Sequence, residues 1–136
     1  MKTYSIGQAA KVLNLTPYAL RYYDKEGLMP FLERSASGTR FFKESDIASL
    51  KIVDCLKSTG MPIKEIKTFI DWCSEGDSTL QQRHDMFQER KAVVEAHMAA
   101  LVETMKVIEH KCAYYEEALE AGTEDVHKDN WAAQPR

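Results

Sequence analysis

From residue 80 onward one apolar pattern runs without a break. Leu80, Phe87, Val94, Leu101, Ile108 and Tyr115 fall seven residues apart, and four residues after each come His84, Lys91, Met98, Met105, Cys112 and Leu119. This is a six-heptad seam on a single helix, predicted over residues 77–120 and roughly 60 Å long at about 1.5 Å per residue. A helix of that length cannot bury such a stripe by itself, and the preceding segment is too small to cover it. The pattern therefore predicts a homodimer, with Leu80, Phe87, Val94, Met98, Leu101, Met105, Ile108, Cys112, Tyr115 and Leu119 as contact residues. After Leu119 the pattern is lost in EAGTEDVHKDNWAAQPR, and residues 121–136 are expected to form a disordered tail too short to enclose a small-molecule pocket.

The first 75 residues read as a different unit, mainly helical and built of short elements. Ser5 and Gln8 form a capping box for a first helix, which MKTYSIGQ enters directly. Asn14-Leu15 separates it from a second helix, with Thr16 as cap and Pro17 at the first position. Two short helices so joined make a helix-turn-helix, with the second as recognition helix. Residues 31–42 then read as a hairpin turning at Ser35–Gly38, with Arg34 and Arg40 near its tip. A third helix is expected from Glu44 to Ser58, closed by Gly60, and a fourth from Pro62 to Cys73. Ser74 to Asp77 marks the internal boundary, where Asp77 or Ser78 is placed to cap the long helix. The expected architecture is a winged helix-turn-helix head followed by a coiled-coil helix.

The overall net charge of −3 argues against nucleic acid, but its distribution argues for it. Residues 1–43 carry seven Lys/Arg against three Asp/Glu, a net of +4, whereas residues 76–136 carry seven against twelve, a net of −5. A basic head on an acidic rear suits a protein that meets phosphate with one face. No apolar run approaches the ~18 residues of a membrane span, and the N-terminus has no apolar signal region. Three isolated cysteines suggest a reducing compartment, so the cytoplasm is expected. An iron–sulfur cluster needs about four thiolates. Metal sensing needs soft ligands at least in pairs, and Cys112 has only His110 nearby, two residues away on a helix, where side chains point apart. No catalytic or phosphate-cradling pattern stands out, so neither enzyme activity nor a metal or cofactor is expected.

SIGQAAKVLNLTPYALRYYDKEGLMP, the Arg34-x₃-Gly38-x-Arg40-Phe41 wing and GMPIKEI, in this order, resemble a MerR-family transcriptional regulator over roughly the first 120 residues. Two departures are visible: Phe41 and Phe42 stand where the family often has a Tyr, and Lys43 stands where a Ser or Thr cap is common. The resemblance implies an antiparallel dimer helix, a pseudo-palindromic double-stranded promoter site that the dimer distorts, and an indirect effect on RNA polymerase. Expected DNA contacts are Tyr4, Thr16, Pro17, Tyr18, Arg21, Tyr22, Tyr23, Arg34, Gly38, Arg40 and Phe41, although Tyr23 can equally pack inward. Larger relatives carry a ligand domain after the coiled coil, which has no counterpart here.

A Cys in the third helix resembles the aldehyde- and electrophile-responsive subgroup. Ala48, Ile52, Cys55 and Thr59 form one helical stripe, and Lys51, one turn before Cys55, favours the thiolate. Cys55 and Lys51 are thus expected to sense an electrophile stress, set against the blander reading of Cys55 as a small buried hydrophobe. The alternatives are a regulator whose small non-metal ligand sits between head and dimer helix, and a DNA-binding adaptor without signal input.

Overall fold

The local signals at the two first helices act as their chemistry predicts. In the computed structural model, which describes residues 2–133, the Ser5 hydroxyl accepts from the Gln8 N–H and the Gln8 side chain accepts from the Ser5 N–H, opening α1 (Ile6–Leu13). Asn14 adopts the left-handed conformation (φ 56°) and returns its N–H to the helix end. Thr16 Oγ1 accepts from Ala19 N at 3.0 Å, and Pro17 begins α2 (Pro17–Lys25). The chain leaves α2 through Gly27 at φ 78°, a conformation that lets Leu28 N bond to Tyr23 O at 3.0 Å.

The wing is the hairpin of β2 (Glu33–Arg34) and β3 (Arg40–Lys43), paired antiparallel with Arg34 opposite Arg40. A third strand, β1 (Thr3–Tyr4), lies on the other side of β3, with Tyr4 opposite Phe42. The N-terminus therefore does not run directly into α1. The two residues before Ser5 are recruited by a strand about forty positions away, which no local pattern announces.

Helices α3 (Glu44–Ser58) and α4 (Ile63–Glu75) complete the head. Lys43 offers no hydroxyl to cap α3. The other half of the box is kept, because the buried Asp46 carboxylate accepts from Lys43 N at 2.8 Å. Ala9, Leu20, Tyr23, Leu28, Phe42, Leu50, Val53, Leu56 and Ile66 are fully buried and join all four helices and the sheet in one core.

Helix α5 runs over Leu80–Ala121. Neither Asp77 nor Ser78 caps it. The chain makes a 3₁₀ turn at Asp77–Thr79, and the buried Thr79 hydroxyl lies 2.6 Å from Trp72 O and 2.8 Å from Gly76 O. Arg83 binds Gly76 O and Thr79 Oγ1 over the same turn. The chain forms two compact units that divide between Lys91 and Ala92, so the first turns of α5 belong with the head. There Met86 packs on the core and Phe87 meets Phe69 edge to face.

In the second unit the seam residues Met98, Leu101, Met105, Ile108, Tyr115 and Leu119 are exposed in the single chain, Leu101 by 66% and Leu119 by 81%. A different stripe of the helix is covered. The segment Glu124–Ala133 forms a 3₁₀ helix, contrary to the expectation of disorder through residues 121–136. His127 is buried against Tyr114, its Nε2 donating to Tyr114 O at 2.9 Å, and Tyr114 Oη donates to Glu124 Oε1 at 3.1 Å. Lys111 Nζ sits 4.3 Å from the Tyr114 ring centroid. The last three positions of the expected tail, residues 134–136, lie outside the described residues. No helix among the described residues is long and apolar enough to cross a membrane.

Candidate nucleic-acid interface

Helix α2 has an inner and an outer face, and its phase decides which residues reach a ligand. Leu20 and Tyr23 point into the core. Pro17, Tyr18, Arg21, Tyr22 and Lys25 line the exposed side, Tyr18 by 77% and Tyr22 by 41%. Tyr23, expected among the DNA contacts, is 0% exposed and is removed from that set. Its hydroxyl is buried without a hydrogen-bond partner among the described residues, and Lys57 Nζ lies 5.4 Å from its ring. Adjacent residues on a helix point about 100° apart, so the core could take only one of the two tyrosines. Thr16 and Pro17, also named as contacts, hold the start of the helix and are exposed.

The wing is fastened to this helix by one carboxylate. Asp24 Oδ2 accepts from Arg40 Nε at 2.7 Å and from Arg34 Nη2 at 3.0 Å. Arg34 Nη1 also binds Gly38 O at 3.3 Å, which ties it to the turn. Gly38 has φ 84° and nothing within 4 Å of where a Cβ would stand, so the turn needs glycine for its backbone conformation and leaves open space at the tip. Ser35 N bonds to Thr39 O at 2.8 Å and closes the loop. Sequence reading missed Asp24. The signal was its place one turn after Leu20 and two residues after the outward Tyr22, a carboxylate in a stretch with Arg21 and Lys25.

Other expected contacts are placed differently. The Tyr4 hydroxyl donates to Glu44 Oε1 at 2.6 Å, so its proton is already engaged. Phe41 is half-buried, and Phe42 is entirely in the core. Lys43 binds Glu33 across the wing at 2.8 Å, and this hydrogen bond raises its pKa above 10.5.

Cys55 is exposed, as are Lys51 one turn before it and Ala48 and Ile52 on the same stripe. In the single chain Cys55 is therefore not a buried hydrophobe. Cys73 is exposed as well and lines a groove of about 530 Å³ with Phe31, Ile52, Phe69 and Ile70. Cys112 is exposed on α5.

A winged helix-turn-helix with a basic, aromatic recognition face defines the class, and the comparisons with known proteins give the family. Residues 4–71 match the model of the MerR helix-turn-helix family of regulatory proteins, and residues 47–111 match that of the MerR DNA-binding region. The chain belongs to the MerR family. It is 36% identical over 121 residues to an uncharacterized helix-turn-helix transcriptional regulator of Haemophilus influenzae, covering 89% of this chain and 90% of that one. Among solved structures it is similar to HiNmlR, described as a MerR family regulator lacking the sensor domain and bound to promoter DNA. That likeness has 35% identity, a TM-score of 0.87, and coverage of 92% of this chain and 99% of that one. A MerR family regulator from Bacillus thuringiensis is 45% identical, with a TM-score of 0.77, covering 82% of this chain and 98% of the other.

Proposed function

We propose that this chain is a homodimeric transcriptional regulator that binds a pseudo-palindromic promoter site, distorts it, and takes its signal through Cys55. The observation that carries the DNA-binding part is the outward face of Tyr18, Arg21, Tyr22 and Lys25 beside a wing whose two arginines are held next to it. The likeness to HiNmlR, itself described as bound to promoter DNA, supports the same reading. α2 enters the major groove, and Arg34 and Arg40 meet flanking phosphates. The exposed seam of α5 supports dimerisation, since six apolar side chains on one helix stripe are stable in water only when covered. Two heads on one dimer then match the two half-sites of a palindrome.

Cys55 suits an electrophile input because it is exposed on α3 with Lys51 one turn away. Its thiolate adds to the electrophilic carbon of an aldehyde or quinone. A C–S bond forms, the C=O or conjugated C=C π bond breaks, and the displaced electron pair takes a proton from water. The enlarged side chain then disturbs a packed contact with the partner. Overpacking costs about 1–3 kcal/mol, comparable with the lower end of DNA deformation energies of about 1–10 kcal/mol. The test is operator binding and transcription in vitro with and without an aldehyde or quinone. Cys55→Ser is expected to bind operator normally and lose the response, while Cys73→Ser and Cys112→Ser keep it. A wild-type response from Cys55→Ser overturns the thiol input.

A second reading has one observation in its favour. A cleft of about 400 Å³ between α4 and the first turns of α5 is walled by Met61, Trp72 and Met86 and rimmed by Glu65, Asp85 and Glu89. Its size and lining suit a small apolar or cationic ligand, the alternative signal.

A further inference from the structure

Asp24 is a carboxylate on the surface assigned to DNA, where its charge opposes phosphate. Yet its side chain is only 19% exposed, and a single oxygen, Oδ2, receives both wing arginines. We propose that Asp24 is a positioning residue for DNA recognition, a latch that fixes the wing at a set distance and angle from the recognition helix. This inference rests on the proposed DNA-binding function.

The geometry supports a latch over a mere surface ion pair. Asp24 lies in the last turn of α2, and its two partners face each other across β2 and β3, at the base of the turn. Fastening both strands at that point leaves the wing little freedom to swing about its base. Arg40 uses only Nε for the bond, so the outer edge of its guanidinium, with both Nη groups, is left for phosphate. Arg34 spends Nη2 on Asp24 and Nη1 on Gly38 O, which sets the turn in the same network. The planar fork of arginine makes such a shared arrangement directional, which a lysine would not reproduce.

Two accounts of Asp24 differ in sign. If it acts only by charge, neutralising it brings phosphate and protein closer in energy, and all DNA is bound more tightly. If it positions the wing, neutralising it weakens binding to the correct site, where helix and wing must land together. Binding to unrelated duplex, which needs only charge, is unchanged or stronger.

The test uses the full chain and a duplex selected by the wild-type protein from a random pool, with a scrambled duplex of equal length. For Asp24→Asn the inference expects selected-site affinity to fall about tenfold or more while scrambled-duplex affinity stays equal or rises up to about threefold. Asp24→Glu, which keeps the charge, is expected to recover at least half of the lost discrimination on a logarithmic scale. In an Arg34→Ala/Arg40→Ala background, Asp24→Asn is expected to change discrimination by less than about twofold. Thermal melting and circular dichroism check that each variant is folded. The positioning role is overturned if Asp24→Asn keeps the wild-type ratio of selected to scrambled affinity, or if its effect is undiminished without the two arginines. It is equally overturned if Asp24→Glu recovers nothing. If the wild-type protein selects no duplex at all, the failure lies with the DNA-binding function itself.

Discussion

Phe69 and Phe87 meet edge to face, their ring centroids 5.4 Å apart and their planes at 88°. This pair joins α4 to the start of α5, so one member of the heptad series serves the head of its own chain. Seam residues therefore divide by role. Phe87→Ala is expected to lower the stability of the head by about 1–3 kcal/mol, less than a fully buried aromatic because Phe87 remains 39% exposed. Leu101→Asp is expected to leave the head's melting temperature within a few degrees and to abolish dimerisation. Differential scanning calorimetry and sedimentation of both variants separate the two effects. Loss of the dimer in Phe87→Ala with an unchanged melting temperature would reverse the assignment.

The two adjacent tyrosines of α2 give a second contrast. Tyr23 holds a buried hydroxyl with no partner among the described residues, so Tyr23→Phe is expected to be neutral or stabilising by up to about 1–2 kcal/mol, with operator binding unaltered. Tyr22 is on the outer face, and Tyr22→Phe is expected to weaken operator binding several-fold without changing the melting temperature. Titration by fluorescence anisotropy, alongside thermal melts, checks both. Equal loss of binding in the two variants would mean that Tyr23 reaches DNA after all.

Under the proposed function, Arg40→Ala removes a phosphate contact together with one half of the Asp24 clamp. Affinity is expected to fall about tenfold or more, and the slope of log K against log salt to become shallower by about one. Arg21→Ala, if Arg21 reads a base edge, costs about 1–3 kcal/mol at one base pair and relaxes the preference there. An unchanged salt slope in Arg40→Ala removes the wing from the interface.

The His127 ring stacks on Tyr114 with centroids 4.0 Å apart and planes 18° apart, and Glu117 Oε2 lies 3.5 Å from Nε2. His127→Ala is expected to open the segment Glu124–Ala133 and expose Tyr114 and Ala118. Hydrogen exchange is the measurement, with faster exchange expected in that segment and at the end of α5. Exchange as slow as in the wild type would show that the stack does not hold the segment.

How much of this was readable from sequence depended on whether the cause was local. Ser5 with Gln8 and Thr16 with Pro17 fixed two helix starts because capping chemistry acts over three or four residues. The wing was readable from its turn and paired arginines, and α5 from its unbroken heptads. Strand β1 was not, since Thr3 and Tyr4 become a strand only by pairing with Lys43 and Phe42. Which of Tyr22 and Tyr23 turns outward was set by the phase of α2 on the core. Asp24 was overlooked because its partners lie ten and sixteen residues ahead in sequence. Before α5, Thr79 rather than Asp77 or Ser78 fixes the turn, its hydroxyl donating to the carbonyls of Trp72 and Gly76. The segment Glu124–Ala133 shows no periodicity, so its helical turn follows from tertiary contacts such as that between His127 and Tyr114.

In the proposed function, two copies of this chain act together on one DNA site. Sedimentation velocity on a fluorescently labelled, selected duplex measures this directly, because the complex mass reports the number of 15.5 kDa chains bound. Two chains per duplex are expected, with free protein also a dimer at micromolar concentration and a half-site duplex bound far more weakly. One chain per duplex at saturation, from a protein that is monomeric in solution, would contradict it.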